Sequence, residues 1–236
     1  RAMQFEDAQS RARGVAGFVN GYFEKTAGYA HALEISGGLP ADAGTVARLA
    51  EPLDQDPNLL AVALVSAGSP QIVAKNSGKL ADAELSRLIA QAVTDAADGG
   101  PVLGAPQVSG DTGVPVVAIA DAIRVGGRTE GHVVSIVDLT GAFPFVISAR
   151  LPDRGGEAIA ADQSSFFVVD DSGVAIADSR DLDTGARDMR DNPLVRDWMA
   201  QSGADAGLTR EFDLTSGGDT VRMVGSMATA ELAGGR

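Results

Sequence analysis

The chain has 236 residues, which is enough for one large domain or two small ones with a real hydrophobic core. Its hydrophobic fraction of 44% argues against disorder, and its net charge of -13 argues against nucleic acid and anionic lipid as partners, because both bind basic surfaces. The absence of cysteine excludes disulfide frameworks, thiol nucleophiles and Cys-ligated zinc.

The first segment is predicted to form one long amphipathic helix. Its apolar residues recur at three- and four-residue steps, and they are Phe5, Ala8, Ala12, Val15, Phe18, Val19, Tyr22, Phe23, Ala30 and Leu33. The run Gly37-Gly38-Leu39-Pro40 is typical of a helix end. Because the apolar face runs for about 30 residues, or about 45 Å at 1.5 Å per residue, we expect this helix to pack on both modules of the chain.

A helix, two strands and another helix are predicted next. Residues 43–53 carry apolar side chains at helical spacing. The continuous apolar run at 59–65 and residues 71–75 predict two strands, because the turn residues Ala67-Gly68-Ser69-Pro70 separate them. Helical spacing then returns over 80–97.

Three more strands follow in the sequence, at 102–108, 114–123 and 132–139. The turn residues Asp111-Thr112-Gly113 precede the second of these strands, and Gly126-Gly127 precede the third. The last two strands therefore form a predicted hairpin.

Alternation places the larger side chains of the strand at 114–123 on one face and the smaller ones on the other. The larger are Val117, Ile119, Asp121 and Ile123, and the smaller are Val116, Ala118, Ala120 and Ala122. We expect the smaller face to pack against the leading helix and the larger face to line a cavity, where Asp121 would anchor a ligand cation. The alternative is that Asp121 lies near the strand end, solvated or paired with Arg124.

The second half of the chain repeats this plan in shorter form. Residues 142–151 bridge the halves, and the predicted elements are strands at 165–169 and 174–177, a helix at 192–201 and a hairpin of 210–214 with 220–227. The patterns predict an α+β protein with a leading helix (1–40) and two modules that each have a central antiparallel sheet (41–142 and 143–236).

Five segments in this order resemble the double Cache family of bacterial sensor domains. They are NLLAVALVSAGSPQIVAKNS, APQVSGDTGVPVVAIADAI, EGHVVSIVDLTGAF, SSFFVVDDSGVAIADSRD and GDTVRMVGSMATAEL. Together with the long leading helix, the resemblance covers nearly the whole chain. It implies that the two modules are PAS-like, with the first one far from the membrane and the second one near it.

The resemblance also implies a function. It points to the extracytoplasmic ligand-sensing domain of a bacterial transmembrane receptor, whose output is a histidine kinase of a two-component system, a chemoreceptor or a cyclase. Such a domain lies on the periplasmic or extracellular side, between two transmembrane helices of the parent protein. We expect a small polar ligand in the distal module, no cofactor, and a possible homodimer through the leading helix.

The sequence departs from the amino-acid-binding branch of that family. That branch has a Tyr/Arg/Trp/Tyr cluster before its Thr-Gly turn, whereas Arg87 stands alone here and Gln107 or Val108 takes the place of the later Tyr. Ile136 falls where a strand Asp is expected, with Asp138 two residues later. These differences argue against amino-acid sensing through that motif. On family geometry, the candidate ligand-binding residues are Gln107, Ser109, Asp121 and Ser135.

No catalytic or metal site is predicted. The acidic residues Asp170, Asp171, Asp178, Asp181 and Asp183 lack the spacing of an EF-hand and are interpreted as a solvated turn. The chain has only two histidines, His31 and His132, and it has no Gly-x-Ser-x-Gly elbow. We therefore predict that this domain is not an enzyme, although its full-length parent would be a signalling enzyme if it is a kinase. The alternative function is a structural or protein-interaction ectodomain that binds no ligand.

Overall fold

The computed structural model describes residues 2–66, 69–75, 79–96, 101–110, 112–147, 166–170, 172–178, 187–200, 208–216, 219–229 and 232. The chain divides into two compact units. The first module comprises Val19–Gly141, and the second module comprises Arg1–Phe18 with Ala142–Leu232. Helix α1 (Ala2–Ile35) contributes its first half to the second module and its second half to the first.

Helix α1 ends at a pair of glycines. Gly37 and Gly38 have φ angles of 99° and 86°, a region that L side chains rarely adopt. The Gly38 N–H donates to the Leu33 carbonyl at 2.8 Å, which satisfies a carbonyl that the helix leaves free. The predicted end of the helix is therefore confirmed.

The first module is built on one antiparallel sheet. Its elements are α2 (Ala43–Gln55), β1 (Leu59–Ser66), β2 (Ser69–Lys75), α3 (Asp82–Asp95), β3 (Val102–Leu103), β4 (Gln107–Val108), β5 (Pro115–Val125) and β6 (Arg128–Asp138). The strand order is β2-β1-β6-β5-β3, and β4 also pairs with β5. The hairpin of β5 and β6 closes through Gly126 and Gly127, both at positive φ, as the sequence predicts.

The strand predicted over 102–108 is instead two short strands. Gly104 and Pro106 lie between β3 and β4, and proline has no N–H to give to a sheet. Gly104 keeps the segment attached, because its N–H donates to the Ala118 carbonyl at 2.8 Å. A Cβ at this glycine would meet that same carbonyl oxygen at 3.2 Å, so the close approach favours glycine.

The face assignment of β5 from the sequence is wrong. Its smaller side chains Val116, Ala118 and Ala120 are in one core cluster with the large apolar side chains of α3, among them Leu85 and Leu88. The larger side chains point to α1, since Ser135 lies opposite Ile119 and bonds to Thr26 of that helix. The physical reason is volume: the bulky leucines of α3 fill the space above the alanines.

The second module has two short α-helices and two small antiparallel sheets among its described residues. A 3-10 helix (Leu139–Ala142) leads into α4 (Phe143–Ile147). The remaining elements are β7 (Phe167–Val169), β8 (Val174–Asp178), β9 (Arg187–Asp188), α5 (Pro193–Ala200), β10 (Leu208–Ser216) and β11 (Asp219–Met227). The sheets are β7-β8-β9 and β10-β11, and the second of these is the predicted hairpin.

Two apolar clusters hold the described part of this module. One contains Ala175, Met189, Leu194, Val195 and Met227. The other joins Val15 of α1 to Ala142 and Phe143. The predicted bridging segment is described only as far as residue 147, and the first residue of the strand predicted at 165–169 lies outside the described residues.

The predicted fold class is thus confirmed: a long N-terminal helix precedes antiparallel sheets in an α+β arrangement. Among the described residues, no helix has both the length and the hydropathy that crossing a membrane requires.

Candidate functional site

A row of three side chains crosses the first module's sheet on the side covered by α3. Gln107 of β4 lies opposite Val116 of β5, and Val116 lies opposite Asp138 of β6. Directly opposed residues of antiparallel strands share a face, and Val116 belongs to the core cluster under α3. Gln107 and Asp138 therefore face α3 together, about 10 Å apart across two strand spacings.

Two cations from the α3 segment bind the ends of this row. The Arg87 Nη1 donates to the Gln107 side-chain oxygen at 2.6 Å. The Lys79 Nζ donates to the Asp138 Oδ2 at 3.0 Å and to the Pro57 carbonyl at 3.2 Å. The two ends of the row are thus a neutral amide and a buried carboxylate, and each is bonded to a cation.

On the same face, hydrogen bonds between Glu84 of α3 and residues 109–110 fix the turn before β5. The Ser109 hydroxyl, which is buried, donates to the Glu84 Oε2 at 2.8 Å, and the Gly110 N–H donates to the Glu84 Oε1 at 3.1 Å. The Thr112 hydroxyl also donates to the Lys79 carbonyl at 3.0 Å. These bonds tie the turn to α3 and to the segment before it. We define the α3-face site as Lys79, Glu84, Arg87, Gln107, Ser109 and Asp138.

The structure does not bring the four sequence-predicted ligand residues together. Gln107 and Ser109 lie in the α3-face site, whereas Asp121 and Ser135 face α1 on the opposite side of the sheet. Ser135 is buried, and its hydroxyl accepts from the Thr26 hydroxyl at 2.8 Å. Ser135 therefore serves the packing of α1 against the sheet.

Asp121 lies near the end of α1. Its Oδ1 accepts from the Ala122 N–H at 2.8 Å, and its side chain is buried. Burial raises the pKa of Asp121 and the Glu34 carboxylate adds to this shift, while the Ala122 N–H, Arg124 and His132 oppose it. Its role as an anchor for a ligand cation stays a prediction, for which Asp121→Ala would weaken binding by about 1.5 to 3 kcal/mol.

The short turn before β1 connects the site to α1. The Asp138 N–H donates to the Asn58 carbonyl at 2.7 Å. Two residues earlier, the Asp56 carboxylate accepts from the Tyr22 hydroxyl at 2.8 Å and from the Lys25 Nζ at 2.5 Å. The Asn58 N–H also donates to Asp56 at 3.1 Å. We call Tyr22, Lys25 and Asp56 the helix clamp.

The second module presents a shallow groove of about 220 Å³, open to solvent and lined by Asp7, Ser10, Arg11, Pro144 and Phe145. Arg11 is already engaged there. It pairs with Asp7 at 3.0 Å, donates to the Phe145 carbonyl at 3.1 Å and lies 4.0 Å over the Phe166 ring. The groove therefore lies between α1 and α4, where Arg11 connects the two helices.

The acidic turn of the second module is held by its own backbone. Asp170 accepts from the Ser172 and Val174 N–H groups at 3.0 and 2.9 Å. Asp178 is buried in β8, and the other members, Asp171, Asp181 and Asp183, lie outside the described residues. Within the described part of the chain, no group of three or more His, Asp or Glu side chains is placed to hold a metal ion.

Sequence reasoning missed four members of the α3-face site: Lys79, Glu84, Arg87 and Asp138. Arg87 and Asp138 stand out in the sequence as departures from a family motif, but that comparison assigns neither of them a role. The missing information was the register of a two-residue strand, since only the pairing of Gln107 with Val116 puts Gln107 and Asp138 in one row.

No protein-family model and no curated protein matches the sequence. Solved structures do match its fold. The ligand-binding domain of the Pseudomonas aeruginosa PAO1 amino acid chemoreceptor PctC, in complex with GABA, is 17% identical with a TM-score of 0.60, over 90% of this chain and 85% of that one. The ligand-binding domain of the Pseudomonas fluorescens chemoreceptor CtaA, in complex with L-valine, is 15% identical with a TM-score of 0.59, over 98% and 97%.

A third similar structure is the extracellular domain of mmHK1S-Z3, a predicted histidine kinase. It is 15% identical to this chain with a TM-score of 0.63, over 89% of this chain and 83% of that one. The chain therefore has the fold of these ligand-binding and extracellular domains along nearly its whole length, as the double Cache resemblance implies.

Proposed function

We propose that this chain is the extracytoplasmic ligand-sensing domain of a bacterial transmembrane signalling receptor and has no catalytic activity of its own. The observation that carries the proposal is the fold, which matches two chemoreceptor ligand-binding domains over at least 85% of their length. Their ligands, GABA and L-valine, are small and polar. The parent of this chain is a chemoreceptor, a histidine kinase or a cyclase, and its transmembrane helices flank the domain.

The ligand binds at the α3-face site of the first module. The site offers positively and negatively charged hydrogen-bonding groups on a sheet, next to an apolar core. Small-molecule sites commonly combine apolar walls with a few polar groups in this way. Arg87 is the group best placed to meet a ligand, because its side chain is 55% exposed, donates to the neutral side chain of Gln107 and has its other partner, the Glu84 carboxylate, only at 4.0 Å. Arginine presents a fork of donors that suits carboxylates.

Binding is transmitted through the helix clamp. A ligand changes a receptor only if it binds two states with different affinity. Asp138 reaches Asn58 by a backbone bond, and Asp56 next to it holds α1 through Tyr22 and Lys25. A displacement at Asp138 therefore moves the turn that grips α1.

The test is a thermal-shift screen of small polar compounds on the 236-residue chain, with hits measured by calorimetry. Arg87→Ala should weaken binding at least tenfold, because one charge-assisted bond contributes about 1.5 to 3 kcal/mol. The matched control is Arg48→Ala, which removes an exposed arginine of α2. Equal ligand affinity of Arg87→Ala and the wild-type protein would contradict the assignment of the α3-face site as the ligand site. A screen without any hit would favour the structural ectodomain, and turnover abolished by one substitution would show an enzyme.

A further inference from the structure

The buried carboxylate of the α3-face site is fully occupied by the chain itself. Asp138 is 2% exposed, and its Oδ2 accepts from the Lys79 ammonium at 3.0 Å. Its Oδ1 accepts from the Thr140 N–H at 2.8 Å and from the Thr140 hydroxyl at 2.6 Å. A ligand ammonium that approached Asp138 would have to displace the ammonium of Lys79.

The second carboxylate described on this face is occupied as well. Both oxygens of Glu84 accept hydrogen bonds, one from the Ser109 hydroxyl and one from the Gly110 N–H. Its side chain is 13% exposed. The two carboxylates are thus turned inward, whereas the two cations of the site, Lys79 and Arg87, keep 39% and 55% of their side-chain surface exposed.

An amino acid needs two partners in a binding site, an anion for its ammonium group and a cation for its carboxylate. GABA and L-valine, the ligands of the similar chemoreceptor domains, both carry the two charges. In this chain the cations face outward, and the described carboxylate that would receive an ammonium group is already paired.

We propose that Lys79 fills the place of a ligand ammonium group, so that the site selects small carboxylates that have no amino group. The ligand carboxylate binds Arg87 and the amide nitrogen of Gln107, and Lys79 both neutralises Asp138 and adds to the positive field. This inference rests on the proposed function, in which the α3 face binds the ligand. It makes Lys79 the residue that sets ligand specificity.

The experiment is calorimetry with two matched pairs of compounds on the 236-residue chain: propionate against L-alanine, and succinate against L-aspartate. In the wild-type protein, at least one acid should bind at least tenfold more tightly than its amino derivative. In Lys79→Met, which frees Asp138, this ratio should fall at least tenfold. Lys75→Met, which breaks the exposed pair of Lys75 with Asp82, should leave the ratio unchanged.

Lys79→Arg guards against loss of the fold, because it keeps a cation beside Asp138 and should keep the preference for the acid. Equal binding of acid and amino acid by the wild-type protein overturns the inference, and so does an unchanged ratio in Lys79→Met. Absence of binding by all four compounds overturns it too. In each of these cases, a ligand of another class found by the broad screen, and weakened by Arg87→Ala, would leave the sensing function standing.

Discussion

At the scale of single residues, Ser135, one of the four candidate ligand residues, serves the packing of α1. Ser135 accepts a hydrogen bond from Thr26, and both groups are buried. Buried hydroxyls need such partners, because an unmade hydrogen bond in a core costs about 1 to 3 kcal/mol. Asp121 lies on the same face, where a carboxylate is more unusual than the hydroxyl of Ser135.

The burial of Asp121 gives a prediction about pH. Its pKa is raised in the folded chain, so the folded state holds the proton more tightly than the unfolded state, whose aspartates titrate near pH 3.9. The contribution of Asp121 to the free energy of unfolding therefore falls as the pH rises above about 3.9. The fall is complete once the carboxyl group has ionised in the folded state. Asp121→Asn should melt about 1 to 3 °C above wild type at pH 7, the size of a change of up to about 1 kcal/mol in a chain of this length.

Thermal unfolding of Asp121→Asn between pH 3 and pH 7 tests this prediction. The difference from wild type should shrink as the pH approaches 3, where both states are protonated. Asp213→Asn is the control, since Asp213 is exposed on β10. A variant that melts below wild type at pH 7 would mean that the charged form of Asp121 stabilises the fold.

At the scale of elements, the packing of α1 on the first module depends on three polar contacts along one helix face. The helix clamp holds it near the turn before β1, Thr26 bonds to Ser135, and the Glu34 carboxylate accepts from the Arg124 N–H at 2.8 Å. These contacts fix the position of α1 along its axis more narrowly than apolar packing does, because hydrogen bonds need specific distances and angles.

Removing one hydroxyl from the clamp should loosen α1. Tyr22→Phe deletes the bonds to Asp56 at 2.8 and 3.0 Å and should lower the free energy of unfolding by about 1.5 kcal/mol, as for a hydrogen bond to a charged group. Amide hydrogen exchange across residues 19–30 should speed up in the same variant. Tyr29→Phe, which removes the same group two turns further along the helix, is the matched control.

The cost of Tyr22→Phe should depend on pH. Burial alone would raise the pKa of Asp56, but the bonds from Lys25, Tyr22 and the Asn58 N–H hold the pKa below its ordinary value. The stabilisation is therefore present above about pH 3.9 and is lost as the pH falls further and the carboxylate protonates. An equal cost at pH 7 and at pH 2.5 would mean that the lost hydroxyl acts through packing and not through the carboxylate.

At the scale of the whole molecule, α1 belongs to both modules. Its residues up to Phe18 group with the second module, where Val15 packs with Ala142 and Phe143. Arg11 also reaches Phe145 and the ring of Phe166. The second module therefore depends on a helix segment that is more than 120 residues away in the sequence.

Deletion of residues 1–18 should destabilise the second module selectively. We expect faster amide hydrogen exchange in β7, β8, α5, β10 and β11, because Phe143 and Phe166 lose their cover, and a melting temperature lower by several degrees. Protection of β5 and β6 should change little, since residues 19–141 keep their own core. Unchanged exchange in the second module would contradict this division of α1.

Much of the fold was predictable because its signals are local. The glycines after Leu33, the turn at Gly126 and Gly127, and the alternating apolar residues of β5 each act within a few positions. The face of the sheet that meets α1 was not predictable, since alternation separates two faces but does not say which helix covers each. The α3-face site was also out of reach, because it depends on pairing between strands.

The sequence by itself determined the order of elements, the α+β class, the exclusion of cysteine chemistry and the choice of Gln107 and Ser109 as candidates. The first three follow from composition and from patterns with periods of two and 3.6 residues, whereas the choice of Gln107 and Ser109 follows from the resemblance to the double Cache family. Tertiary structure alone decided that Asp138 and Gln107 lie in one row, that Lys79 occupies Asp138, and that Ser135 serves α1. The bond of Lys79 to Asp138 joins residues 59 positions apart, and that of Thr26 to Ser135 joins residues 109 positions apart. All three facts depend on the register of the sheet and on helix packing, which no local pattern encodes.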